Sequence, residues 1–285
     1  MSKLTNIKKY VILIRPHQWL KNLLILFPPF FGGKILDPAI LVAIIPSFLS
    51  FSLAASCGYI INDIFDRDAD RRHPTKMSRP VASGEISVIL ASVVAAVLYL
   101  AAILLSSIIS RHFEGYLIIY ILITFLYSIF LKNIVIVDIF VISFGFLIRV
   151  LAGGEAFNVI VSGWLFLAVF IVSLFLSAGK RLGEFISLSD DAGTHRKSLS
   201  DYSSSYLEGV LWFSASAAMV TYALYTLEHK NGLFYTVPIT VFGLLRYIYI
   251  VKQGRGDPTE ALLLDGQIVC VGMVWVAMVG IIIYR

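Results

Sequence analysis

Four oxygen-bearing side chains, Asn62, Asp63, Asp66 and Asp70, fall within the single stretch Asn62-Asp63-Ile64-Phe65-Asp66-Arg67-Asp68-Ala69-Asp70. On a helix, at 100° per residue, the four share an arc of ~100°, while Asp68 points elsewhere. Carboxylates gathered on one helix face repel one another and add nothing to the helix by themselves. A hard divalent cation removes the conflict. Mg²⁺ takes oxygen ligands, keeps part of its water shell and commonly shares carboxylates with substrate phosphates. The plainer alternative is a solvated acidic helix end, neutralised by Arg67, Arg71 and Arg72. The segment His73-Pro74-Thr75-Lys76-Met77-Ser78-Arg79-Pro80 follows, where Lys76 and Arg79 either reach an anion held by the metal or serve as plain basic anchors.

A second group lies a hundred residues on. Ser173, Ser177, Lys180 and Glu184 fall within ~60° of one helix face. An ammonium beside a single carboxylate favours phosphate over Mg²⁺. Both groups need elements that bring them together, and composition says what those are. The chain has 285 residues, 58% hydrophobic and 14% charged, with mean hydropathy +0.85. Soluble chains carry about 25% charged residues, so the reading is an all-α, polytopic membrane protein. That excludes a cytosolic Rossmann or barrel enzyme, a secreted disulfide scaffold and a disordered tail. Cys57 and Cys270 lie in apolar surroundings and suggest neither a disulfide nor a zinc site. Nothing points to nucleic acid.

Nine spans are predicted, near 18–35, 39–61, 86–109, 115–131, 134–152, 161–178, 207–227, 232–251 and 263–284, in a single domain over 1–285. The first is the weakest, with Lys21 inside it and Pro28-Pro29 breaking it. Leu4, Ile7, Val11 and Ile14 recur at helical spacing ahead of it, as in an interfacial helix. With the N-terminus inside, 17 of the 23 Lys and Arg residues fall in inner segments and four in outer ones, the other two lying within spans. This asymmetry puts the N-terminus in the cytoplasm and the C-terminus outside. The two long charged loops, about 62–85 and 179–206, then share the cytoplasmic face of the inner membrane. Of the charges inside spans, Arg149 sits near an outer end, where its side chain is expected to snorkel.

The pattern Asn62-Asp63-x-x-Asp66-x-x-x-Asp70 resembles the first aspartate-rich motif of the UbiA superfamily of intramembrane prenyltransferases. The resemblance covers essentially the whole chain. It implies nine helices around a central cavity open to the lipid, with Mg²⁺-bound diphosphate at Asp63, Asp66 and Asp70 and Asn62 assisting. The superfamily's second motif, Asp-x-x-x-Asp at the end of the sixth helix, is absent here; Lys180-Arg181-x-x-Glu184 stands in its place. With Arg15-Pro16-His17-Gln18-Trp19-Leu20-Lys21-Asn22, Thr194-His195-Arg196-Lys197 and Gly256-Asp257-Pro258-Thr259-Glu260, it is similar to the decaprenyl-phosphate phosphoribosyltransferase branch.

That branch implies transfer of 5-phosphoribose from phosphoribosyl diphosphate to a polyprenyl phosphate, with release of diphosphate. Asp63, Asp66, Lys180 and Glu184 would be the catalytic set, Glu184 either orienting Lys180 or holding ribose hydroxyls. Lys21, Lys76, Arg79 and Arg196 are candidates for the 5-phosphate and the lipid phosphate, with the pairing open. Tyr127, Lys132 and Asp138 are expected along the same cavity. Two other readings compete. One is an aromatic prenyltransferase that uses a polyprenyl diphosphate and a quinone or haem precursor. The other is a transporter, against which the charges gather at one membrane face rather than at the midplane. A homo-oligomer is compatible with the sequence.

Overall fold

The structure, a computed structural model, describes residues 3–188 and 201–285. Regular structure among these residues is helical throughout. An amphipathic α1 (Lys3–Ile14) leads to α2, a 3₁₀-helix over Pro16–Leu26 that runs into an α-helical turn at Phe27–Phe31. The long α3 (Pro38–Phe65) continues into the short α4 (Arg67–Asp70). Next come α5 (Val88–Ser107), α6 (Arg111–Ile129), α7 (Val137–Ala156) and α8 (Gly163–Leu188). Helices α9 (Ser204–Glu228), α10 (Leu233–Val251), α11 (Pro258–Leu264) and α12 (Gly266–Tyr284) complete the order.

Eight of these helices are long and apolar enough to cross a membrane. The ninth crossing is α2, and it is built differently. Its 11 residues of 3₁₀ helix at 2.0 Å each and five of α-helix at 1.5 Å make ~30 Å, the thickness of a hydrocarbon core. Arg15, at φ 55°, turns the chain out of α1, and Pro16 starts the tight helix at a position where the N–H it lacks would have no partner. Pro28 and Pro29 lie at the start of the α-helical turn, where missing N–H donors cost least. The proline pair that reads as a break is therefore a change of helix type within one crossing. Close packing holds it: a Cβ on Gly153 of α7 would lie 2.0 Å from the Ile25 carbonyl oxygen.

The other boundaries differ from the hydropathy reading at the ends that matter. α3 and α8 run past the predicted limits of 61 and 178 to Phe65 and Leu188, so the polar groups that follow the apolar runs remain helical. The last predicted span is α12, and a separate short helix, α11, precedes it: Asp257 caps α11, and Asp265 caps α12 while pairing with Arg246 of α10 at 2.8 Å. Phe51, Phe113, Leu117 and Ile148 form one apolar cluster, Phe175, Leu182, Leu207 and Val251 another. The bundle encloses a cavity of about 660 Å³, lined mainly from α2, α3, α6, α7 and α8.

The seating of α2 on α7 can be tested at its tightest point. Gly153→Ala should destabilise the protein by about 1–3 kcal/mol through overpacking, read as a lower melting temperature in detergent. Gly115→Ala, whose added methyl meets nothing within 4 Å, is the comparison. Equal melting temperatures for the two variants would contradict this packing.

Candidate functional site

One wall of the cavity is the junction of α3 and α4. Asn62, Asp66 and Asp70 succeed one another at one-turn intervals along it and face the cavity. The backbone makes this possible: Asp66 N–H bonds Asn62 O and Asp70 N–H bonds Asp66 O, both at 2.8 Å, so the helical rise survives the break at Asp66. Asp63 is placed otherwise. It is only 2% exposed and lies behind the wall, with Arg15 Nη2 at 2.5 and 2.7 Å from its two oxygens and Arg79 Nη1 at 3.0 Å. Arg79 also reaches Asp70 Oδ2 at 2.6 Å. Lys132 gives its ammonium to Asp66 and, at 3.3 Å, to Asn62 Oδ1; Asn62 Nδ2 in turn donates to Asp66 Oδ2 at 2.9 Å.

The mutual repulsion anticipated for these carboxylates is thus relieved by the chain's own cations. Burial pushes the Asp70 carboxyl above its ordinary range, and the Arg79 guanidinium offsets only part of that. Among the described residues no three carboxylates, histidines or cysteines converge on one point. The donor chemistry nonetheless suits a hard cation. Asn62 and Asp66 already share one, the Lys132 ammonium, and Asp70 shares the Arg79 guanidinium.

The opposite wall belongs to α8. Ser177, Lys180, Arg181 and Glu184 line the cavity, whereas Ser173 is buried away from it. Arg181, 1% exposed, is the hub. Its Nε bonds Asp138 Oδ2 at 2.6 Å, Nη1 bonds Glu184 Oε2 at 2.7 Å and Nη2 bonds the Tyr127 hydroxyl at 2.8 Å. The Tyr202 hydroxyl donates to the other Asp138 oxygen at 2.7 Å and accepts the Ile136 N–H at 2.6 Å. Burial, then Asp138, push the Tyr202 phenol upward, which keeps it a donor. Ile136 stands at φ 69°, ψ −47°, a conformation costing a β-branched residue about 1–3 kcal/mol unless its surroundings impose it. Asp138, expected along the cavity, instead lies behind this wall and fixes it.

Lys180 is held from a third direction. Its ammonium meets Asp257 Oδ2 at 2.7 Å, while Asp257 Oδ1 caps α11 through the Thr259 and Glu260 amides at 2.9 and 3.3 Å. Burial works against the Asp257 anion, but Lys180, then Lys21, outweigh it and hold the carboxyl well below the usual range. Three glycines allow the approach: a Cβ on Gly256 would lie 2.4 Å from Gly179 O and 3.0 Å from Gly183 Cα. Glu184 therefore takes Arg181 as its hydrogen-bonded partner, and Asp257 is the group that orients Lys180.

Lys21, Lys76, Arg79, Tyr127 and Lys132 also face the cavity, as anticipated from their types and positions. Arg196 lies outside the described residues. Arg149, expected to snorkel outward, is 5% exposed and turns inward to the cavity. Arg15 was legible only as one cation of a basic stretch; its pairing with Asp63, 48 residues away, had no local signal. Chemically, the cavity sets a carboxylate-bearing wall against an ammonium-bearing one, with Tyr59, Tyr120 and Phe146 further along its lining. Such a site suits phosphate groups borne by a partly apolar ligand.

Comparison with known proteins bears on the family and the fold. The profile of the UbiA prenyltransferase family matches residues 29–280. The decaprenyl-phosphate phosphoribosyltransferase of Mycolicibacterium smegmatis is 36% identical over 292 aligned residues, 95% of this chain and 91% of that protein. The protein of that name from Mycobacterium tuberculosis strain H37Rv is 36% identical over 276 residues, 94% of this chain and 91% of its own. Among solved structures, a UbiA homolog from Archaeoglobus fulgidus bound to GPP and Mg²⁺ shares the fold, with a TM-score of 0.77 at 19% identity, covering 97% of this chain and 99% of that one.

The buried hub yields a stability prediction. Asp138→Asn leaves Arg181 buried without its innermost anion and should cost about 3–5 kcal/mol. Tyr202→Phe removes one hydrogen bond to the same carboxylate and should cost about 1–3 kcal/mol. Chemical or thermal unfolding in detergent measures both. An Asp138→Asn variant as stable as wild type would show that the hub does not hold the wall.

Proposed function

Because the chain belongs to the UbiA prenyltransferase family, we propose that it transfers the 5-phosphoribosyl group of phosphoribosyl diphosphate to a polyprenyl phosphate and releases diphosphate. It is a multi-pass integral membrane protein. The observation that carries the reading is Lys180 on α8, facing the Asn62–Asp66–Asp70 wall where a second metal-binding carboxylate pair would serve an ordinary prenyl diphosphate. The relatives at 36% identity, which bear the phosphoribosyltransferase name, support it. The excess of basic residues at this end of the helices supports a site on the cytoplasmic face of the inner membrane.

In the reaction the bond between ribose C1 and the diphosphate oxygen breaks, and its electron pair leaves with diphosphate. A phosphate oxygen of the acceptor forms the new bond to C1, giving a phosphodiester. An acceptor phosphate is largely ionised near neutral pH, so no strong general base is required. Positive charge grows on the ribose and negative charge on the leaving group, and fixed cations stabilise the latter. Arg79 and Lys132, at the carboxylate wall, and Lys180, opposite, are placed for that role. Asp66 and Asp70, with Asn62, would hold Mg²⁺. When bound, the ion supplies charge neutralisation for the departing diphosphate. Asp63 acts one step back, keeping Arg15 and Arg79 aimed at the cavity. Asp257 does the same for Lys180.

The deciding experiment offers purified protein in lipid nanodiscs two substrate pairs in parallel. Ribose-labelled phosphoribosyl diphosphate with polyprenyl phosphate should give organic-extractable label, abolished by chelation of Mg²⁺. Asp66→Asn, Asp70→Asn and Lys180→Met should each lower turnover by about 100-fold or more. Asp68→Asn, altering an 85% exposed side chain that points away, should stay near wild type. Absence of ribose label together with prenylation of 4-hydroxybenzoate from a polyprenyl diphosphate would overturn the assignment.

A further inference from the structure

Deep in the cavity the protein buries positive charge with no described carboxylate within ion-pair distance. Arg149 lies on α7, and its side chain turns back along the helix so that Nη1 meets the Gly145 carbonyl at 2.6 Å. Gly145 is seven residues beyond Asp138, so at 1.5 Å per residue the guanidinium sits ~10 Å deeper in the bundle than that carboxylate. Its other partners are neutral: Nε donates to Asn22 Oδ1 at 2.7 Å and Nη2 to the Tyr120 hydroxyl at 2.9 Å. The Tyr120 ring lies 4.5 Å from the guanidinium carbon. These bonds occupy three of the five guanidinium N–H groups.

Lys21 faces the same cavity from α2, with Gln18 Oε1 as its hydrogen-bond acceptor at 2.5 Å. Among the described residues, neither Arg149 nor Lys21 has a carboxylate within ion-pair distance, whereas Arg15, Arg79, Lys132, Lys180 and Arg181 each have one. A third feature of the same cavity lies on α8. Ser177, one turn deeper than Lys180, has a buried hydroxyl on the cavity wall with no hydrogen-bond partner among the described residues.

Holding an unpaired cation in a membrane-buried site costs several kcal/mol, and such charges mark ligand paths. The missing partner is an anion. Two cations match the charge of a phosphate monoester, about −1.5 to −2 near pH 7. Two sources in the proposed reaction carry that group, the lipid acceptor and the 5-phosphate of the donor. Depth favours the lipid. A water-soluble donor engages the carboxylate wall near the mouth, whereas a polyprenyl chain lies in the membrane and brings its phosphate in from that side. We infer that Arg149 and Lys21, with Ser177 alongside, form the seat of the acceptor's phosphate monoester. The assignment rests on the transfer reading above and adds to it a division of the cavity, donor at the mouth and acceptor phosphate within.

The test is binding in detergent without added Mg²⁺, using farnesyl phosphate, farnesol and ribose 5-phosphate as probes in calorimetry. Wild type should bind farnesyl phosphate well above farnesol. Arg149→Gln should weaken farnesyl phosphate about 30-fold or more, leaving farnesol and ribose 5-phosphate unchanged. Lys21→Met, at a half-buried position, should shift the same probe in the same direction and carries the test if Arg149→Gln does not fold. Undiminished farnesyl phosphate binding in the folded variants overturns the assignment. So does a loss confined to ribose 5-phosphate, which would move the seat to the donor. Failure of the transfer reading looks different: no ribose label would reach lipid, while Arg149-dependent binding of farnesyl phosphate persisted.

Discussion

The contact on which the site depends most is the buried pair of Arg181 and Asp138. A buried ion pair contributes to a fold only when hydrogen bonds satisfy both partners, because desolvation otherwise cancels the attraction. Here each oxygen of Asp138 accepts a bond, one from Arg181 and one from Tyr202. The remaining guanidinium nitrogens go to Glu184 and Tyr127. One network thereby binds the ends of α6, α7, α8 and the segment before α9, and it holds Ile136 in a turn that Ile would not choose alone. Since Arg181 is rigid, its neighbour Lys180 faces the cavity in a fixed direction.

The α3–α4 wall uses the same device with the signs reversed in position. There the buried carboxylate is Asp63, and the groups it steadies are Arg15 and Arg79, which line the cavity. In each wall the most deeply buried acid lies off the cavity and shapes it through an arginine. The acids that face the cavity, Asp66, Asp70 and Glu184, are the more accessible ones or lie against cations that a phosphate could also use. Asp63 and Asp70 are buried alike and share Arg79, so what distinguishes the carboxylates here is whether they line the cavity, not their membership in a motif.

This distinction explains what could be read from the sequence. Periodicity placed Asn62, Asp66 and Asp70 on one face because spacings of four residues differ little in angle. It also admitted Asp63 to the edge of the same arc, and a wheel has no means of saying which edge meets a cavity. Hydropathy located the α-helical crossings from their long apolar runs. It undersold α2 because Lys21 and Pro28-Pro29 interrupt the apolar run, and the proline pair coincides with a change from 3₁₀ to α-helix rather than a break. Arg149 was misread because its place along α7 gives a depth for the backbone but no rotation, and its side chain doubles back by a turn. Lys180 and Asp257 are 77 residues apart, so their pairing had no local trace. The nearest signal was Gly179-x-x-x-Gly183, a small-residue spacing that lets another backbone come close.

That close approach matters because it closes the cavity. The segment after α10 lays Gly256 against Gly179 and Gly183, and Tyr247 fastens it by donating to Gly256 O at 2.8 Å. From there Asp257 reaches α8, while Thr259 reaches the Gln18 side chain of α2 at 3.3 Å. Gln18 Oε1 also accepts from Lys21, so residues near the two ends of the chain meet over one oxygen. Apolar packing would be a poor closure at this place. The glycines leave no side chains to interdigitate, and a cavity that admits phosphate must also admit water. Directed polar contacts tolerate water at their edges and still fix geometry. Asp257 is the part that cannot be spared, since one of its oxygens ends the unpaired amides of α11 and the other sets the position of Lys180.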